Sequence, residues 1–188
     1  MTRSSADHSD FKADLDRLTA FLSASDRVVC LTGAGCSLAS GIPTYRTETG
    51  DWQGRNPINH QDFLESFGTR QRYWARSFMG WPLMNTAQPN PAHRALKELV
   101  ALGKIKTLIT QNVDSLHEQA GLTDVQHLHG DLRQVTCMVC GASEPRTQLQ
   151  VRLAKLNTHL ELDGEIQPDG DAEIPSEAVS YTHLRAHE

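Results

Sequence analysis

Several things are scarce in this chain, and each scarcity narrows its function. No apolar run approaches the length that crosses a membrane, and the polar first ten residues hold no apolar signal core. No basic block occurs and the formal net charge is −5, which argues against an electrostatic nucleic-acid binder. Only four cysteines occur in 188 residues, and two of them form Cys137-Met-Val-Cys140. That usage suits a reducing cytosol and a metal better than a disulfide framework. The 38% hydrophobic content is enough to bury a core, so the expectation is one domain with a small insert.

What is present concentrates in residues 31–46, LTGAGCSLASGIPTYR. A short apolar run, Val28-Val29-Cys30-Leu31, leads into a glycine-rich turn, as where a buried parallel strand delivers a phosphate to a helix N-terminus. Gly33 and Gly35 let the backbone approach an anion, and Ser37 adds a hydroxyl. Pro43 stops the following helix near Gly41, and Tyr45 and Arg46 follow at once. A phosphate loop that breaks so early leads into a flexible segment with reactive-site residues rather than into a long helix.

Periodicity predicts an amphipathic helix over 11–24, packed on the sheet through Phe11, Leu15, Leu18, Phe21 and Leu22. Strands are expected at 27–32, 105–110 and 125–128. Short helices are expected at 61–67, 70–79 and 114–120, with a further helix after Pro145 running to about 156. Asn90 caps a helix with Pro91 at its first position, and Gly103 closes it. Residues 160–175 read as loop. Strand and helix in alternation imply a parallel, doubly wound α/β sheet.

Four constellations carry chemistry. Gln111, Asn112 and Asp114 follow the second strand, at the carboxyl edge where parallel sheets bind ligands. Their amides can bond ribose hydroxyls and Asp114 can accept from a carboxamide, although Asn112 and Asp114 serve equally well as helix caps. His127 and His129 alternate onto one face at the end of the third strand. His129, before Gly130, is the better candidate for an exposed general base, against the plain alternative of a hydrogen-bonded strand-end histidine. Cys137 and Cys140 offer half of a tetrahedral zinc site. Cys30 and Cys36 are not plausible partners for it, and His159, His183 and His187 are possible substitutes. Tyr73 and Arg76 share a helix face that can receive an acyl group or simply be a solvated basic face, with Trp74 and Phe78 in the core.

Taken together, these motifs resemble the sirtuins, the NAD-dependent protein-lysine deacylases. The resemblance rests on Gly33-Ala34-Gly35-Cys36-Ser37, Gly41-Ile42-Pro43-Thr44-Tyr45-Arg46, Thr110-Gln111-Asn112-Val113-Asp114, Leu128-His129-Gly130 and Cys137-x-x-Cys140, in that order. Arg70–Arg76, Gly80-Trp81-Pro82 and Gln88-Pro89-Asn90-Pro91 resemble the class II branch, which includes lipoamidase and ADP-ribosyltransferase members. The resemblance implies a Rossmann-like domain and a small zinc-binding domain. It implies NAD consumed as co-substrate, with Gly33, Ala34, Gly35 and Ser37 at the diphosphate and Tyr45 and Arg46 beside the nicotinamide ribose. Tyr45 stands where most members have Phe. Gln111 and Asn112 would contact that ribose, Asp114 the carboxamide pocket, and Tyr73 and Arg76 the acyl group of an acylated-lysine protein substrate. His129 would be the catalytic base, helping a ribose hydroxyl to attack after the acyl oxygen has displaced nicotinamide. The products would be free lysine, nicotinamide and O-acyl-ADP-ribose. Mono-ADP-ribosyl transfer, or NAD and zinc binding without turnover, are the alternatives.

The expected organisation is a polar tail at 1–10, the N-terminal part of the NAD-binding domain at 11–136, and a partial zinc-binding small domain at 137–178. Residues 179–188 resemble the translation of a sequencing adapter and are expected to be non-native. The family's second Cys-x-x-Cys and later strands are missing from 141–188, so the chain is expected to be an incomplete, poorly soluble and inactive fragment of a cytoplasmic bacterial protein, or of a matrix protein if mitochondrial.

Overall fold

The computed structural model describes residues 5–44, 49–51, 58–158, 165–166 and 172–173. Helix α1 (Ser5–Ala24) leads into strand β1 (Val28–Thr32) and a 3-10 helix (Ala34–Ser40). Helices α2 (His60–Glu65), α3 (Phe67–Thr86) and α4 (Pro91–Ala101) precede strand β2 (Ile105–Thr110), helix α5 (Leu116–Gln119) and strand β3 (Val125–His127). Strands β4 (Gln134–Thr136) and β5 (Ser143–Pro145), helix α6 (Arg146–Leu156) and strands β6 (Glu165–Ile166) and β7 (Ala172–Glu173) follow. Among the described residues no helix is long and apolar enough to cross a membrane.

The expected parallel α/β arrangement is present. Strands β1, β2 and β3 form one parallel sheet in that order. Thr32 lies opposite Thr110, and Thr110 opposite His127, so all three strands end on one edge. Every loop that leaves this edge starts from the same line, which is how parallel sheets assemble sites from distant segments. Asn90 caps α4 as expected: its side chain accepts from the Ala92 N–H at 2.9 Å, with Pro91 at the first position. The Gly103 N–H closes the helix on the Val100 carbonyl in the left-handed conformation that glycine tolerates.

Three expectations fail. Helix α1 forms, but it does not pack on the sheet. Phe11, Leu15, Leu18 and Phe21 are all exposed, as are Val29 and Leu31 on one face of β1. Periodicity reports that a helix has an apolar face and not what covers it. The segment expected as loop at 160–175 contains the short antiparallel pair β6–β7.

Helix α3 is the third. It runs through Gly80-Trp81-Pro82 to Thr86 instead of ending near Met79. Pro82 has no N–H to give the carbonyl of Phe78, one turn earlier, and such a loss usually breaks a helix. Here Gln150 of α6 donates its side-chain N–H to that carbonyl at 2.9 Å. Arg146 does the same one residue earlier, donating to the Ser77 carbonyl and hydroxyl, each at 3.1 Å. The interior proline is thus tolerated because a second helix supplies the missing donor.

The α3–α6 contact is one of two apolar clusters among the described residues. Ala75, Leu149 and Leu153 are buried, with Trp74, Phe78, Met79 and Val135 packed around them. Arg146 is 2% exposed, with its guanidinium 4.9 Å from the Trp81 ring centre and 5.8 Å from that of Trp74. Burial lowers its pKa to about 10, against a small opposing effect of Tyr73. The second cluster, Ile42, Ala87 and Leu116 with Met84, lies where the 3-10 segment, α3 and α5 meet.

Candidate functional site

The glycine-rich turn leaves β1 at Gly33, which is extended (φ −140°), a conformation open to any residue. A Cβ on Gly33 would meet only Gln111 Nε2, at 3.7 Å, and one on Gly35 would meet nothing within 4 Å. The chain's own packing therefore does not demand glycine at either position. The space kept free lies over the loop backbone, as a ligand approaching that backbone requires. Gly41 differs: at φ 83° it ends the 3-10 helix, with its N–H bonded to the Leu38 carbonyl at 3.0 Å.

Beneath this loop lies a buried polar network. Ser37 donates its hydroxyl to Asp114 Oδ2 at 2.6 Å. Asn112 donates its side-chain N–H groups to the Ser37 hydroxyl and the Gly33 carbonyl, each at 3.1 Å. Asp114 Oδ1 accepts from the Leu116 N–H at 2.9 Å. The capping role of Asp114 is thus realised through Oδ1, while Oδ2 holds the Ser37 hydroxyl. Ser115 next to it is the one non-glycine residue described with positive φ (55°). Its hydroxyl donates to Asp131 at 2.6 Å, tying the second loop to the third. Backbone of this kind is held only where its surroundings over-determine it.

A second layer underlies the first. The Thr32 hydroxyl donates to Thr110 Oγ1 at 2.9 Å and lies 2.8 Å from His117 Nε2. Thr110 Oγ1 in turn accepts the Asn112 N–H at 3.0 Å. Because Thr32 gives its proton to Thr110, it accepts from His117, so His117 carries its proton on Nε2. His93 Nδ1 accepts from the Asn90 N–H at 3.3 Å. Burial lowers the pKa of both His93 and His117, with Asp114 opposing it in each. Burial also raises that of the Cys36 thiol, assisted by Asp114 and Cys30. Cys36, His93 and His117 bring one ligand-type atom each within 4.8 Å of the others.

His129 is exposed, and its Nδ1 lies 3.0 Å from the Gln111 carbonyl. A carbonyl only accepts, so Nδ1 carries the proton and Nε2 keeps its lone pair for solvent or substrate. His127 does not share that surface. The strand ends at His127, alternation ends with it, and the ring turns to Glu118 at 2.6 Å. Burial lowers its pKa, but the hydrogen bond and charge of Glu118 outweigh this and the net shift is upward.

Cys137 and Cys140 sit on the turn joining β4 to β5, closed by the Gly141 N–H on the Cys137 carbonyl at 3.0 Å. The backbone N–H groups of Cys140 and Val139, then the Cys140 thiol, lower the pKa of Cys137. A turn that stabilises a thiolate in this way fits a metal ligand pair. Among the described residues no third metal-binding group joins the pair. His159, His183 and His187 lie outside the described residues, as do Tyr45 and Arg46. Tyr73 packs edge-on against Phe63, with ring centres 5.1 Å apart, and Arg76 is half-buried beside it. Both lie roughly 16 Å or less along α3 from Met84, which packs against the loop's apolar cluster.

The sequence assigns no individual role to Thr32, His93, His117 or Asp131, and Thr110 enters it only as part of a motif. The signal was faint: a threonine ends each of the first two strands, and a histidine occupies the third position of a capped helix.

Residues 33–169 match the family model described as "Sir2 family". The chain is 48% identical over 155 residues to NAD-dependent protein deacetylase 2 of Bradyrhizobium diazoefficiens, covering 82% of this chain and 57% of that protein. It is 45% identical over 166 residues to the mitochondrial NAD-dependent protein lipoamidase sirtuin-4 of Bos taurus, covering 86% and 53%. The crystal structure of a Sir2 homolog–NAD complex superposes with a TM-score of 0.57 at 44% identity, covering 69% of this chain and 51% of that one. The chain thus spans a little over half the length of these curated relatives. The motifs, the parallel sheet with its glycine-rich first loop, and these likenesses lead to one conclusion: the chain belongs to the Sir2 family.

Proposed function

We propose that the whole protein is an NAD-dependent protein-lysine deacylase, and that this chain carries the residues of its NAD site. The observation that bears most on this is His129, whose proton is fixed on Nδ1 by the Gln111 carbonyl while Nε2 stays free at the carboxyl edge of the sheet. A base held in one tautomer there suits removal of a proton from a ribose hydroxyl. The free space over Gly33 and Gly35 fits a diphosphate against the loop backbone, with Ala34 and Ser37 beside it. Gln111 and Asn112 would bond ribose hydroxyls and Asp114 the carboxamide; Tyr45 and Arg46 would cover the reactive end. NAD, when bound, supplies an activated ribose carbon that accepts the acyl oxygen as nicotinamide departs. Relatives named as NAD-dependent deacetylases support the same reading.

Substrates in this reading are acyl-lysine proteins, with Tyr73 and Arg76 contacting the acyl group. Residues 11–136 belong to the NAD-binding domain and 137–178 to a small domain in which Cys137 and Cys140 hold half of a structural zinc site. A cytoplasmic or matrix setting accords with the free thiols. The test is mass spectrometry of an acetylated peptide incubated with NAD and the whole protein. Loss of acetyl with release of nicotinamide is expected, and His129→Ala should lower the rate by about 10²-fold or more. Gain of ADP-ribose by the peptide without deacylation, or near-normal turnover by the variant, overturns the proposal.

A further inference from the structure

Cys36, His93 and His117 come from three separated segments: the 3-10 helix, the first turn of α4 and α5. Their ligand-type atoms all lie within 4.8 Å of one another. Cys36 Sγ is 3.9 Å from His93 Nε2, and the two imidazole centres are 4.9 Å apart. The histidines are 0% and 1% exposed. His117 holds its proton on Nε2, toward Thr32, and its Nδ1 is buried with no hydrogen-bond partner. A buried acceptor left so is destabilising, and a cation at that nitrogen would offset the loss.

We propose that Cys36, His93 and His117 bind a divalent transition-metal cation of the zinc class, with a fourth position open. This site is distinct from the Cys137–Cys140 knuckle and does not depend on the deacylase reading. One thiolate and two imidazoles suit such a cation by ligand chemistry. His117 has the outer hydrogen bond typical of a ligating histidine, here to the Thr32 hydroxyl. On binding, the Cys36 S–H bond breaks, the sulfur–metal bond forms, and one proton leaves to solvent. The thiolate leaves one net positive charge on the ion, and the nearby Asp114 carboxylate balances it without giving up its bonds to Ser37 and Leu116.

His93 is the weakest of the three ligands. Ligation through Nε2 moves its ring proton to Nδ1, which forfeits the 3.3 Å bond from the Asn90 N–H. Helix α4 keeps its cap, because Asn90 Oδ1 still accepts from Ala92. A bound ion would tie the glycine-rich loop to α4 and α5 directly beside Ser37 and Asp114.

The test uses the 188-residue chain carrying Cys137→Ser and Cys140→Ser, titrated with cobalt(II), with far-ultraviolet circular dichroism verifying the fold of each variant. One equivalent of cobalt should bind, with thiolate-to-cobalt charge-transfer absorption and release of one proton. Cys36→Ala should abolish the band and Cys30→Ala should leave it. His117→Asn should weaken binding at least tenfold, and His93→Asn by less. A folded double-serine chain without the band overturns the site. So does a band that survives Cys36→Ala or is unchanged in His117→Asn.

Discussion

The loop–sheet junction and the cysteine knuckle are built in opposite ways. At the junction, Ser37 meets Asp114 and Asn112, and Thr32 meets Thr110 and His117, across 75 to 85 residues of chain. At the knuckle, Cys137 is shaped by Val139, Cys140 and Gly141, its near neighbours. The junction exists only when the parallel sheet has formed, because only the strand register brings its parts together. The knuckle needs little more than its own hairpin. Long-range polar networks are therefore the feature that reports folding, and local turns the feature that persists without it.

The comparison is broken most directly at Asp114. Asp114→Ala leaves the Ser37 hydroxyl and the Leu116 N–H buried without their acceptor, and should cost on the order of 3 kcal/mol in urea denaturation of the chain. An effect below about 0.5 kcal/mol, the size typical of a surface substitution, would show that the junction does not hold the fold.

Acid provides a second, smaller lever. His93 and His117 have pKa values lowered by burial, so the unfolded chain binds their protons more readily. Stability then rises with pH and is lost as pH falls below about 6.5, the ordinary histidine value. His127 acts with the opposite sign: its raised pKa adds stability below about 6.5 that is lost as pH rises through the folded value. Two buried neutral rings against one half-buried cation predict a net loss in acid. The Asp114→Ala chain should show a different acid slope, since Asp114 opposes the shift of both rings.

The smallest effect belongs to the knuckle. Cys137→Ser should leave metal-free stability within about 0.5 kcal/mol. In the unsubstituted chain, Cys137 should alkylate with iodoacetamide at lower pH than Cys36, whose thiol is pushed up by burial. Equal rates at every pH would remove the distinction between the two environments.

What could be read in the sequence follows the same division. Helix α4, with Asn90, Pro91 and Gly103, was legible because its start and stop signals are local. So were β2, the glycine-rich turn and the position of His129. The partners of these elements were not legible. Asn112 and Asp114 could be named as candidates, but their bonds to Ser37 depend on register. The continuation of α3 past Pro82 was hidden because Gln150, which accommodates it, lies 68 residues later. The exposed apolar face of α1 escaped for a related reason, since amphipathicity states a need for cover without naming what meets it.

Arg146 carries one further consequence. Its contacts are two aromatic rings, the Ser77 carbonyl and hydroxyl, and the Gln150 side chain, which accepts at 2.8 Å. None of these partners ionises between acid and neutral pH, and the guanidinium itself titrates only near 10. The α3–α6 clasp is thus a charged contact that neither takes up nor releases a proton where the histidines of the junction do. In a Trp52→Phe chain, Trp74 and Trp81 beside it give a built-in fluorescent reference: their signal should hold steady in mild acid while the sheet edge loosens, and change only when the whole chain lets go.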